Sequence, residues 1–133
     1  EAFEAIGGYT PLPTGGIDLL AELACRKEGW KSRSFSEKTL THYRPVGTAT
    51  RSIYSSRFNY GYRDYYFGND PFWQVFRVIN QMRHRPVFIG GLCILAGYLY
   101  GHVTRKPSPV PPEIRRFRRG EQRARIKRLL GGA

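Results

Sequence analysis

Residues 87–103, VFIGGLCILAGYLYGHV, carry no acidic or basic side chain except His102. The run is shorter than the roughly 20 apolar residues a helix needs to span a bilayer. Both flanks are basic, with Arg77, Arg83 and Arg85 before it and Arg105 and Lys106 after it. Exporting either flank across a membrane is disfavoured. The segment is therefore expected to be buried against protein or to lie shallowly at a membrane. Its four glycines, at 90, 91, 97 and 101, either permit close helix packing or weaken the helix. The Pro-rich KPSPVPP stops it.

The chain has 133 residues, one domain's worth at most, and a net charge of +12. Such a charge calls for a polyanionic partner, an anionic membrane surface or a phosphate-bearing substrate. Much of it sits in PPEIRRFRRGEQRARIKRLL, where eight Arg or Lys face Glu113 and Glu121. Cys25 and Cys93 are embedded in apolar sequence, outside any CxxC pair, and read as reduced core residues of a cytosolic or cytosol-facing protein. The sequence opens on Glu1 with no signal-peptide pattern, and its first residues read as the interior of a folded unit, so an upstream half is expected.

EAFEAI is a short helical start, followed by a loop bracketed by Gly7-Gly8 and Gly15-Gly16. Ile17, Leu20, Ala21 and Ala24 then share one helical face, and Gly29 marks its stop. KSRSF and TLTHYR are short strand candidates around SEK. SIYSSRFNYGYRDYYFG reads as mostly helical, with an interruption near Gly61. Asp70 caps a helix with Pro71 at its first position and an apolar stripe of Phe72, Val75, Phe76 and Ile79. The basic tail is a final helix with Ile114, Phe117, Ala124 and Leu129 on one arc. Tyr54, Tyr60, Tyr62, Tyr65 and Tyr66, interleaved with Arg51, Arg57 and Arg63, suit either a base-stacking surface or helix packing; packing is the preferred reading and nucleic acid is not expected as a partner.

Four pieces in order, IGGY, PTGGID opening a helix, ACRKEGW, and a strand ending THYRP, resemble the C-terminal half of the catalytic domain of family 2 glycosyltransferases. YRDYYFGNDPFW, RHRPVFIGG, AGYLYG and RRFRRGEQRARIKRL are similar to a bacterial branch of that family, so the resemblance covers nearly the whole chain. The family usually carries Glu-Asp where this chain has Ile17-Asp18, which leaves one carboxylate of the pair. QRARI is superficially similar to the QxxRW motif of processive polysaccharide synthases; Ile126 replaces the Trp, and we read the match as chance.

The resemblance implies an α/β fold, the C-terminal portion of a GT-A nucleotide-diphospho-sugar transferase, with a mostly helical, membrane-associated extension. Residues 1–47 would end the catalytic domain, 48–106 form the aromatic and apolar extension, and 107–133 the Pro-rich linker and basic helix. It also implies inverting transfer of a sugar from a nucleotide-diphosphate sugar to a saccharide or lipid-linked acceptor. The acceptor hydroxyl then needs a base within hydrogen-bond reach, and Asp18 holds that position; its bland reading is a helix cap or first-turn acid. Gly15, Gly16, Trp30 and Arg44 are the implied substrate contacts. His42 is an implied metal contact, against the alternative of a core histidine. A divalent metal, Mg or Mn, would be held mainly by the upstream half, because this chain has no Asp-x-Asp motif. The expected place of action is the cytoplasmic face of the bacterial inner membrane, reached by peripheral or monotopic association with anionic lipid through the basic tail. The rival reading is a small basic membrane- or nucleic-acid-binding protein without catalysis.

Overall fold

The computed structural model describes residues 1–13, 15–33, 35, 37–39, 41 and 52–131. These residues form six helices: α1 (Ala2–Ala5), α2 (Ile17–Lys27), α3 (Ile53–Tyr66), α4 (Pro71–Met82), α5 (Ile89–Thr104) and α6 (Pro112–Gly131).

The α/β expectation is corrected, because no strand occurs among the described residues. In KSRSF, Phe35 is the only apolar side chain, and it is exposed. A ribbon with nothing to bury and no third strand does not hold itself together in water. TLTHYR lies partly outside the described residues.

Local chemistry sets the helix limits. α2 starts from Gly16 at φ +93° and ends just before Gly29 at φ +88°, the stop expected from the sequence. Ser52 caps α3 by accepting a hydrogen bond from the Ser55 amide at 3.2 Å. Asp70 caps α4 by accepting from the Phe72 amide at 3.0 Å, with Pro71 at the first position as read from the sequence. The Pro-rich segment after α5 is tied back to α3: Tyr65 Oη donates to the Lys106 carbonyl at 3.1 Å, and Ser108 Oγ to that of Tyr66 at 2.6 Å.

Two interiors result. One is apolar and joins distant parts of the chain: Leu12, Leu20 and Leu23 from in and before α2, Phe67 from the end of α3, and Val110 and Ile114 from the start of α6. Leu23 is fully buried, although the helical face read from the sequence did not include it. The second is a close packing of α3 and α4 on α5. There Gly61 of α3 lies against the Ile94 carbonyl, and Gly97 of α5 against the Phe58 carbonyl. A side chain at either position would strike main chain, so α3 continues straight through Gly61 instead of breaking there. Rings line the same contact: Tyr62 meets Tyr66 and Tyr100 with centroids 4.6 and 5.5 Å apart, and His102 lies against Tyr65 and Tyr98. Tyr62, Tyr65 and Tyr66 of the aromatic run thus pack within and between helices, while Tyr54 is exposed.

The apolar stripe of α4 lies on the solvent side. Phe72, Val75, Phe76 and Ile79 face outward, while Gln74 and Val78 are buried. On α6, Ile114, Arg118 and Gln122 are buried, and Leu129 and Leu130 are exposed.

Candidate functional site

Gly15 and Gly16, at φ +73° and +93°, turn the chain into α2. Only glycine reaches these angles without strain. Gly16 also needs the space, since a Cβ there would come within 2.9 Å of Arg63 Cδ and 3.1 Å of the Phe67 ring. The turn is thus seated on the last stretch of α3. Ile17 is the first residue of α2 and Asp18 the second, so Gly16 holds the cap position and Asp18 is a first-turn acid. Its carboxylate is exposed. Among the described residues no hydrogen bond or ion pair occupies it.

The structure brings Gly15, Gly16 and Asp18 together but does not add Trp30. α2 has 11 residues, so its ends stand about 16 Å apart. Trp30 lies past the far end and is 42 % exposed. His42 and Arg44 lie outside the described residues. No group of three or more His, Cys, Asp or Glu side chains that could hold a metal occurs among the described residues. Cys25 and Cys93 are free and partly buried.

A buried polar network at the corner between α3 and α4 was not legible in the sequence. Asn69 Oδ1 accepts from Arg118 Nε at 2.6 Å and from Gln122 Nε2 at 3.0 Å. Asn69 Nδ2 donates to Gln74 Oε1 at 3.0 Å, and Gln74 Nε2 donates to Asp64 Oδ2 at 3.1 Å. Gln122 Oε1 accepts the Asp70 amide at 2.8 Å, and Tyr98 Oη donates to the Asn69 carbonyl at 3.0 Å. Two arginines close the network: Arg77 Nε stands 2.9 Å from Asp64 Oδ2, and Arg123 Nε 2.7 Å from Asp70 Oδ2. The corner joins α3, α4, α5 and α6 through mostly partnered groups, Arg77 Nε meeting Asp64 as an ion pair without a well-aligned hydrogen bond, and such a network favours one arrangement of the helices.

Burial pushes the Asp64 carboxyl up from its ordinary value, with Arg77 opposing. Burial also pushes Asp70 up, but the bonds from Arg123 and the Phe72 amide outweigh it and its net shift is down. Burial lowers Arg118 to about 10, even though Asp64 supports its charge. The Tyr66 hydroxyl, buried and hydrogen-bonded to Tyr62, rises to about 12.

Two cavities flank α2. One of about 260 Å³ lies between α1, α2 and the start of α6, near Ile6, Ala24 and Ile114. The other, of about 320 Å³, is lined by Arg26, Arg77, Arg118 and Arg125 together with Glu22 and Glu121. Arg26 bridges those two glutamates at 3.0 and 2.9 Å, so much of this charge is already compensated. Asp18 lines neither cavity.

Comparison with known proteins finds no matching family model, no matching curated protein and no matching solved structure.

Proposed function

We propose that the chain is the acceptor-side part of a bacterial family 2 glycosyltransferase in which Asp18 is the catalytic base. The ordered motifs from IGGY to THYRP support this reading. The observation that carries it in three dimensions is Asp18 itself. It is an exposed carboxylate, without a hydrogen bond or ion pair among the described residues, in the first turn of α2 behind a turn that only glycines can make. Asp70 and Asp64, by contrast, are engaged in a cap and an ion pair.

In the proposed reaction the acceptor hydroxyl oxygen attacks the anomeric carbon of a nucleotide-diphosphate sugar. The bond from that carbon to the diphosphate oxygen breaks, and the nucleoside diphosphate leaves with the electron pair. Asp18 takes the hydroxyl proton. The donor diphosphate and its divalent metal would be held elsewhere in the parent enzyme, and no step here runs through a metal. The acceptor is a saccharide or a lipid-linked saccharide, met at the cytoplasmic face of the inner membrane, in surface polysaccharide or glycolipid synthesis.

Radiolabelled sugar transfer by the parent enzyme, with and without Asp18→Asn, tests the proposal. The variant should fold, bind donor normally and lose transfer. Full transfer by Asp18→Asn refutes the assignment, and transfer by the 133-residue chain alone refutes the division of labour. The second reading, a basic binding module without catalysis, is favoured by the exposed apolar faces of α4 and α5 with their basic ends.

A further inference from the structure

The apolar stripe of α4 points away from the fold: Phe72 is 73 % exposed, and Val75, Phe76 and Ile79 are also exposed. The interior takes instead Gln74 and Val78 of α4 and the glycine face of α5. α5 repeats the pattern. Gly91, Gly97 and Gly101 are used against α4 and α3, and Ile89, Leu92, Leu99 and Val103 run down the opposite side. Their spacings of three, ten and fourteen residues from Ile89 place them on one helical face. Packed neighbours thus each present an apolar stripe to solvent.

Charge says what covers these stripes. From Pro71 to Pro112 the chain has no Asp or Glu. Arg83 and Arg85 stand exposed just before α5, and Arg105 and Lys106 just after it. A second copy of the chain laid on the same face would bring like charges together at both ends. An anionic bilayer supplies apolar depth for the stripes and phosphates for the ends. No helix among the described residues is long and apolar enough to cross a membrane, and α5, about 24 Å long, fits flat in the interface plane.

We propose that the outer faces of α4 and α5 form a docking surface that lies in the headgroup region of an anionic bilayer. The basic tail is then not the anchor: α6 uses Ile114, Arg118 and Gln122 to hold the fold together. The proposal does not rest on the transferase reading, since docking is measured without any sugar donor.

The test is co-sedimentation of the full chain with extruded vesicles of phosphatidylglycerol and phosphatidylethanolamine, or of phosphatidylcholine alone. Circular dichroism checks each variant's fold. Wild type should pellet with the anionic vesicles, less so as salt rises. The double substitutions Phe72→Ser/Phe76→Ser and Leu99→Ser/Val103→Ser should each weaken binding at least about tenfold. Lys127→Gln/Arg128→Gln, on α6, should change it less than about threefold. The proposal is overturned if wild type ignores anionic vesicles, or if the serine variants bind as wild type does. It is equally overturned if only the α6 variant loses binding, or if sedimentation equilibrium finds a dimer that the serine variants break. A parent enzyme that stays soluble at low salt without detergent would overturn it too, by showing that other protein covers the face.

Discussion

Replacing Gly61 by alanine should destabilise the fold, although alanine is the better helix former by about 1 kcal/mol. Gly61 sits inside α3 where α5 crosses it. An added Cβ would stand 2.7 Å from the Ile94 carbonyl carbon and 2.9 Å from the Tyr98 amide nitrogen. Both are main-chain atoms of a helix, so neither can rotate away, and the helices must separate. Separation would also loosen the contact at Gly97 and the ring packing of Tyr62, Tyr66 and Tyr100. Overpacking of this kind costs about 1–3 kcal/mol, and an unyielding neighbour puts it at the upper end. Less the propensity gain, the net loss is about 2 kcal/mol, or a melting temperature lower by about 6–10 °C. Gly120→Ala is the internal control. It lies in α6 with no heavy atom within 4 Å of an added Cβ, so it should raise stability by up to about 1 kcal/mol. Thermal melts followed by circular dichroism report both. A Gly61→Ala protein as stable as wild type, or shifted in the same direction as Gly120→Ala, would refute the backbone contact between α3 and α5.

Gln122→Leu should cost about 1–3 kcal/mol in urea unfolding, because it strands the buried Asp70 amide and removes a donor to Asn69; an unchanged midpoint would mean that the network is not formed as described. The folded-state carboxyl of Asp70 titrates below its ordinary 3.8, so the unfolded chain binds more protons in that window. The stability it contributes is therefore complete above about pH 4 and lost as pH falls through the folded value. Asp70→Asn should lower stability at pH 7 and flatten this acid limb, read from urea titrations between pH 2 and 6. Asp64 has the opposite sign: its raised value makes its contribution fall as pH rises from 3.8 through the folded value, so Asp64→Asn should remove that decline. Asp18, exposed and without a partner among the described residues, should tolerate Asn with a stability change under about 0.5 kcal/mol, which separates lost transfer in the parent enzyme from lost folding.

The sequence by itself determined where helices start and stop. Asp70 before Pro71, Gly29 after Lys27 and the prolines after Lys106 act through bonds and angles within a few residues, so they are readable in one dimension. The first-turn position of Asp18 behind a glycine pair is legible for the same reason. Tertiary structure decided the rest. Periodicity shows that α4 has an apolar side, but not which way that side turns. The answer depends on what competes for the interior, and here bare glycine backbones and a partnered polar corner occupy it. Asn69 and Gln122, 53 residues apart, have no pattern that announces their bond. Gly61 looked like a break because an isolated glycine weakens a helix; it is a contact because another helix lies where a side chain would be. The KSRSF strand reading failed on the same principle, since a strand needs a partner to satisfy its backbone, while a helix satisfies most of its own.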